Sequence, residues 1–183
     1  VAAYGLRIDV AEEIGRLQRQ VELVLTTAKA ERNMLDVKLQ PLDAHQEILS
    51  VLDKYNGKVA ASLNASNAFI QADLDHFRGL ISNLIDNAIK YSPGEPEVHI
   101  STANTGKKLS ISISDKGIGI APDQQKRIFE KFYRVPSGNI HNVKGFGIGL
   151  SYVKEIIRAH DWKLELNSRP GKGSQFKILA KLA

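Results

Sequence analysis

The 183-residue sequence predicts an α+β fold. It reads as a two-layer α/β sandwich, with helices on one face of a mixed, mainly antiparallel sheet, preceded by a long N-terminal helix. Three observations predict it. Strand candidates come in adjacent pairs joined by short turns, 97–103 with 108–114 and 162–167 with 174–181, and no βαβ unit repeats. Helical periodicity falls in separate stretches around them. The N-terminal part carries a different period from the rest, which divides the chain into 1–33 and 34–183.

In the first part Val10, Ile14, Leu17, Val21, Val24 and Ala28 recur at steps of four and three. That is a 3.5-residue period held over about three heptads. Glu12, Glu13, Arg16, Arg19, Gln20 and Glu22 fill the other positions. Such a helix either packs on its own domain or forms one strand of a helical bundle, and the period alone does not choose. The polar run 29–33 ends it.

Beyond it, 34–40 alternates as a short strand closed by Pro41, and 43–55 reads as a helix with Ile48, Leu49, Val51 and Leu52 inward. Asn56-Gly57 stops that helix. Short strands follow at 58–63 and 68–71, and Asp73 caps a long helix that ends before Ser92-Pro93-Gly94. Asn104-Thr105-Gly106-Lys107 turns the first hairpin. A helix over 124–133, a mobile polar loop over 135–144 and a helix over 149–160 come next. The last two strands flank the turn Arg169-Pro170-Gly171-Lys172-Gly173.

Composition narrows the classes of function. Hydrophobic residues make up 43% and charged residues 25%, as in ordinary soluble domains. No apolar run approaches the roughly 20 residues that span a bilayer, so no membrane contact is expected. The opening Val1-Ala2-Ala3-Tyr4-Gly5 does not read as a secretory signal. Zero Cys excludes disulfides and thiolate metal sites. The net charge of +5 comes without a Lys/Arg stripe interleaved with aromatics, which argues against nucleic acid.

The chemistry begins at Asn83-Leu84-Ile85-Asp86-Asn87-Ala88-Ile89-Lys90-Tyr91. Helical spacing brings Asn83, Asn87 and Lys90 to one face, while Leu80, Leu84, Ala88, Ile81, Ile85 and Ile89 supply apolar neighbours on the others. Buried amides without partners cost about 1–3 kcal/mol each, so something polar and anionic belongs against them. Downstream, Asp115-Lys116-Gly117-Ile118-Gly119-Ile120 leaves a strand end, where glycines let the backbone approach a planar ligand held by the carboxylate. Alone, this motif is more often a plain turn. Gly145-Phe146-Gly147-Ile148-Gly149-Leu150 precedes a helix and exposes N–H groups to an anion. It fits neither the Walker nor the Rossmann spacing. Between the two lies Phe129-Glu130-Lys131-Phe132-Tyr133-Arg134, in which Phe129 and Phe132 fit ordinary core and Arg134 opens the glycine-bearing loop, where it could reach a phosphate; alone it reads as a solvated Arg. A magnesium nucleotide satisfies all of these groups together.

In this order and spacing the motifs resemble the N box, first glycine box, phenylalanine box and second glycine box of the ATP-binding catalytic domain of sensor histidine kinases. That domain belongs to the superfamily shared with DNA gyrase, Hsp90-type chaperones and MutL. The resemblance covers about 34–182, and 6–33 resembles the second helix of the dimerisation and phosphoacceptor hairpin, which favours the bundle reading. It implies that Asn87 ligates Mg²⁺ and that Asn83 sits near the phosphates. Lys90 would neutralise phosphate charge, with Tyr91 packed beside the nucleotide. Asp115 would accept from the adenine amino group, Gly117 and Gly119 giving room and Ile120 counting among the nucleotide-binding residues, and Leu150 and Phe176 would line the adenine pocket with Ser174 near the base. The backbone of Gly145, Gly147, Ile148, Gly149 and Leu150 would hold phosphate, assisted by Arg134 and Lys144. Asn83, Lys90 and Arg134 would serve the transfer itself. Related ATPases place a Glu at Asn83 to activate water; an amide takes no proton, so transfer to a protein side chain is implied.

The family's acceptor, a His followed by an acidic residue, is missing. Of the five histidines, His45, His76, His99, His141 and His160, only His160 precedes an acidic residue, Asp161, and it ends the helix expected over 149–160 instead of lying on a helix before residue 6. The implied function is therefore an ATP-dependent kinase core whose acceptor lies on another helix, working as a homodimer through the N-terminal helix and passing phosphate to a response regulator receiver domain. It would be a cytoplasmic piece of a parent that can be anchored in the inner membrane. A nucleotide-gated binding module and an ATP hydrolase are the rival readings. Two departures stand out: Phe146 where a small residue is usual, and Asp161-Trp162 where a Gly pair is common.

Overall fold

A computed structural model describes residues 14, 15, 21, 23–26, 28, 36–135 and 146–183. Its larger sheet has five strands: β2 (Val59–Leu63), β4 (Val98–Thr105), β5 (Lys108–Asp115), β7 (Ser174–Lys181) and β6 (Lys163–Ser168), in that spatial order. Among the described residues of this sheet only β2 and β4 pair in parallel; β4–β5, β5–β7 and β7–β6 are antiparallel. The sheet is thus mixed and mainly antiparallel, as predicted. A separate antiparallel pair, β1 (Gln40–Asp43) with β3 (Phe69–Ala72), meets the larger sheet through the bridge Ile70–Leu182.

One face of the large sheet is apolar because every second residue of its central strands is. Val98 and Ile100 of β4, Leu109, Ile111 and Ile113 of β5, and Phe176, Ile178 and Ala180 of β7 are buried. Register sets Ile100 opposite Ile113, and Ile113 opposite Phe176. Three helices complete the described core: α1 (Ala44–Leu52), α2 (Leu74–Lys90) and α3 (Gly149–Ala159). From α2, Phe77, Leu80, Ile81, Leu84, Ile85 and Ala88 point inward. Full burial of each large one contributes about 1.5–3 kcal/mol. Asp73 caps α2 by accepting from the His76 N–H, and Arg78 ties it to α1 through Glu47 at 2.6 Å.

Two sequence expectations are corrected. Of the strand expected at 34–40, the described residues 36–39 are irregular, and the strand runs from Gln40 through Pro41 to Asp43. Pro41 faces Gln71 in a two-stranded edge, where a missing N–H is tolerated. The helix expected at 124–133 shrinks to a 3-10 turn, Arg127–Phe129. Gln125 instead spends its amide on the carbonyls of Ile120 and Ser168, and Phe132 takes φ 61°.

In the N-terminal segment the described residues are helical. Ile14, Val21 and Val24 of the heptad stripe are 50%, 58% and 42% exposed, whereas Thr26 is buried and Leu23 packs on the core. These described positions of the stripe therefore face away from the core. Val10 and Leu17 lie outside the described residues, as does nearly all of the loop expected over 135–144. No helix among the described residues is long and apolar enough to cross a membrane.

Candidate functional site

The cleft between α2, the end of β5 and the start of α3 has a volume of about 940 Å³. Asn83, Asn87, Lys90 and Tyr91 line it from α2. Asp115, Gly119 and Ile120 do so from the segment after β5, Gly147, Ile148, Gly149 and Leu150 from the α3 N-terminus, and Ser174 and Phe176 from β7. Motifs far apart in sequence are brought to one place. Gly117 does not line the cleft but bonds Asp115, which does. Arg134 is exposed at the margin, where its charge reaches Lys90 and Tyr91. Lys144 and Gly145 lie outside the described residues.

At one end the carboxylate of Asp115 is held by backbone. Its Oδ1 accepts from the N–H groups of Gly117 at 2.7 Å and Ser174 at 3.2 Å. Burial pushes its carboxyl above the usual range, against the pull of those two bonds. The glycines here are steric necessities. A Cβ on Gly117 would lie 2.6 Å from the Tyr91 carbonyl; one on Gly119, at φ 67°, would strike the Arg169 carbonyl. Ser168, which sequence reasoning missed, closes this end: its Oγ accepts from Ile120 N–H and meets Ser174 Oγ at 3.0 Å. The only sequence signal was its place just before the turn. Phe176 stacks edge-on against Phe129, and Leu150 packs on the same core.

The other end is polar and less satisfied. Asn83 Nδ2 donates to the Gly79 carbonyl one turn back, at 2.8 Å. Asn87 Nδ2 is buried with no hydrogen-bond partner among the described residues. Lys90 is held below the usual ammonium range by burial first and the Arg134 charge second, with Asp86 opposing. Burial raises Tyr91. Gly149, the first residue of α3, packs against Asn83 so closely that a Cβ would sit 2.8 Å from its Oδ1. The first-turn N–H groups of α3 have no intrahelical acceptor, and the cap Ile148 offers no side-chain one. An unpartnered amide beside a bare helix N-terminus suits an anion carrying a hard cation.

The four described histidines serve as structural groups. His45 bonds Thr102, His99 bonds Ser62, His76 bonds Tyr152, and His160 stands between the Ile156 carbonyl and the Asp73 N–H. The departure at Asp161 also has a geometric face: it adopts φ 53°, a left-handed conformation that glycine reaches without strain.

A mixed sheet covered by helices, with an interior amide helix facing a glycine-flanked helix terminus, defines a nucleotide-binding domain of the ATPase type. Residues 72–183 match the model of the histidine kinase-, DNA gyrase B- and HSP90-like ATPases, and the chain belongs to that family. It is 42% identical over 178 residues to the sensor protein RprX of Bacteroides fragilis, covering 92% of this chain and 34% of that protein. With the phosphate regulon sensor protein PhoR of Pseudomonas aeruginosa it shares 33% identity over 92% of this chain and 39% of the other. The chain thus spans little more than a third of these curated relatives. Among solved structures, full-length ShkA in complex with AMPPNP matches at TM-score 0.79 and 22% identity, over 100% of this chain and 40% of that one. The Acinetobacter baumannii histidine kinase AdeS matches at TM-score 0.75 and 22% identity, over 97% and 84%. At such identities these two establish the fold.

Proposed function

We propose that this chain is the Mg-ATP-binding kinase core of a two-component sensor histidine kinase, handing the γ-phosphoryl to a histidine carried on another helix. The observation that carries the reading is the buried Asn87 Nδ2, which has no partner among the described residues and lies beside the α3 N-terminus. Leaving such a donor unpaired costs about 1–3 kcal/mol, which a ligand would recover. The assignment of its oxygen and nitrogen is interchangeable by a flip of the amide, so Asn87 can present either atom. With the oxygen forward it would hold Mg²⁺. The metal, when bound, supplies charge neutralisation across the phosphates.

The chain's own residues do the rest. Asp115 orients the base through its carboxylate, and Phe176 and Leu150 exclude water from it. Gly147, Ile148, Gly149 and Leu150 offer backbone N–H groups to phosphate, and Lys90 with Arg134 adds positive charge where negative charge accumulates. Asn83 orients without taking a proton, which disfavours activation of water and favours a side-chain acceptor. The AMPPNP bound to ShkA and the names of the relatives support this reading. In the parent protein the exposed heptad stripe would pair two copies, a receiver domain would take the phosphoryl onward, and an inner-membrane anchor is compatible with it.

The test supplies γ-labelled ATP, Mg²⁺ and a helical hairpin bearing an acceptor histidine. Acid-labile label on the hairpin is expected. Steady phosphate release with an unlabelled hairpin would turn the reading to a hydrolase, and tight binding with neither would turn it to a nucleotide-gated module.

A further inference from the structure

We propose that Tyr152 is a positioning residue for the phosphate end of the cleft. Its hydroxyl occupies the notch left by Gly79 and thereby sets how far the α3 N-terminus stands from Asn83. The inference rests on the nucleotide reading above.

Two of the close approaches between helices α2 and α3 fall at glycines. At the first, Gly149 of α3 lies over Asn83, with 2.8 Å between a notional Cβ and Oδ1. At the second, one turn further along α3, the Tyr152 hydroxyl lies 2.6 Å from where a Cβ on Gly79 would stand. The next ring atom is 3.4 Å away, an ordinary contact, so the hydroxyl oxygen alone makes the fit tight. The two contacts are joined on α2, because Asn83 Nδ2 donates to the Gly79 carbonyl at 2.8 Å.

Tyr152 is also fixed from behind. It is 5% exposed, and its hydroxyl meets His76 Nδ1 at 3.3 Å with the two rings 6.2 Å apart. His76 is anchored in turn, since its N–H is capped by Asp73 at 3.1 Å. The phenol therefore acts as a spacer between α2 and α3 beside the cleft, which His76, Gly79, Asn83 and Tyr152 all line. Its influence on a ligand should be felt at the phosphates and not at the base, because Asp115 is held by a different set of backbone bonds.

The experiment measures binding of AMP and of a non-hydrolysable ATP analogue, both with Mg²⁺, to the wild type, Tyr152→Phe, Gly79→Ala and the double variant. AMP affinity is expected to stay within about two-fold throughout, while the analogue weakens about five-fold in Tyr152→Phe and about ten-fold in Gly79→Ala. The double variant should be no weaker than Tyr152→Phe, because the oxygen that the new methyl meets is gone. Additive losses, or equal losses for AMP and the analogue, would overturn the inference. Should Gly79→Ala not fold, the ratio of the two ligands in Tyr152→Phe decides alone. The wild-type arm reports separately on the underlying reading: binding of neither ligand overturns that reading and the spacer with it.

Discussion

The two ends of the cleft are built on opposite terms. Around Asp115 the polar groups are satisfied within the protein: Gly117, Ser174, Ile120 and Ser168 bond one another or the carboxylate, and two carbonyls press on glycines that have no room for a methyl. Around Asn87 the polar groups are brought together, and its Nδ2 has no partner among the described residues. The first end is preformed and holds its shape without a ligand. The second carries the penalty of an unmet donor until one arrives, and so has more to gain from binding.

Substitutions at the two ends should therefore fail differently. The largest effect is expected at Gly119→Ala, where a left-handed backbone and a direct collision with the Arg169 carbonyl combine. Roughly 2–5 kcal/mol of stability should be lost in a denaturant titration. A loss below about 1 kcal/mol would mean that the closed end yields more easily than its packing implies. Asn87→Ala should do the reverse. Magnesium-dependent ATP affinity should fall about a hundredfold, while the ligand-free protein stays as stable or gains up to about 1 kcal/mol as the buried donor disappears. Parallel loss of stability and affinity would erase the contrast between the ends.

Asp115→Asn sharpens it. Preference for ATP over GTP should drop about ten-fold, because an amide no longer simply accepts from the adenine amino group. Its pH signature has a definite sign. Burial raises the folded carboxyl above 3.8, so the unfolded chain releases its proton first as pH rises. Stability contributed by this group is lost between 3.8 and the raised value, and the Asn variant should lack that loss. Asp73 behaves oppositely. Burial works to raise it, but the His76 and Lys38 N–H groups prevail and hold it below 3.8. The cap thus stabilises α2 above 3.8 and weakens as pH falls through its depressed value. Melting curves from pH 3 to 7 of the wild type and Asp115→Asn check the sign. The smallest effect is expected at Ser168→Ala, about 1 kcal/mol, read by the same melts.

What the sequence made legible follows the range of the interactions involved. Helix α2 was readable from Asp73, its apolar period and its amide spacing, all of which lie within one element. The hairpins and the glycine motifs were readable for the same reason, and their resemblance to a known order of boxes placed them in one cleft. The Ser168 contact with Ile120 spans 48 residues and the Tyr152 contact with His76 spans 76. Neither leaves a local pattern. The failed helix at 124–133 had helix-forming residues, and long-range bonds from Gln125 outweighed that propensity. Pro41 misled because its meaning depends on whether the strand lies at an edge, which only the pairing reveals.

The parallel pairing of β2 with β4 has a consequence for how the molecule is assembled. Antiparallel neighbours can be joined by a tight turn, but parallel ones require a long return path, and here that path includes α2. The amide-bearing helix is thus part of the connection that brings β4 back beside β2 at this border of the sheet. The ligand-seeking groups therefore ride on the same stretch of chain that closes the border of the sheet.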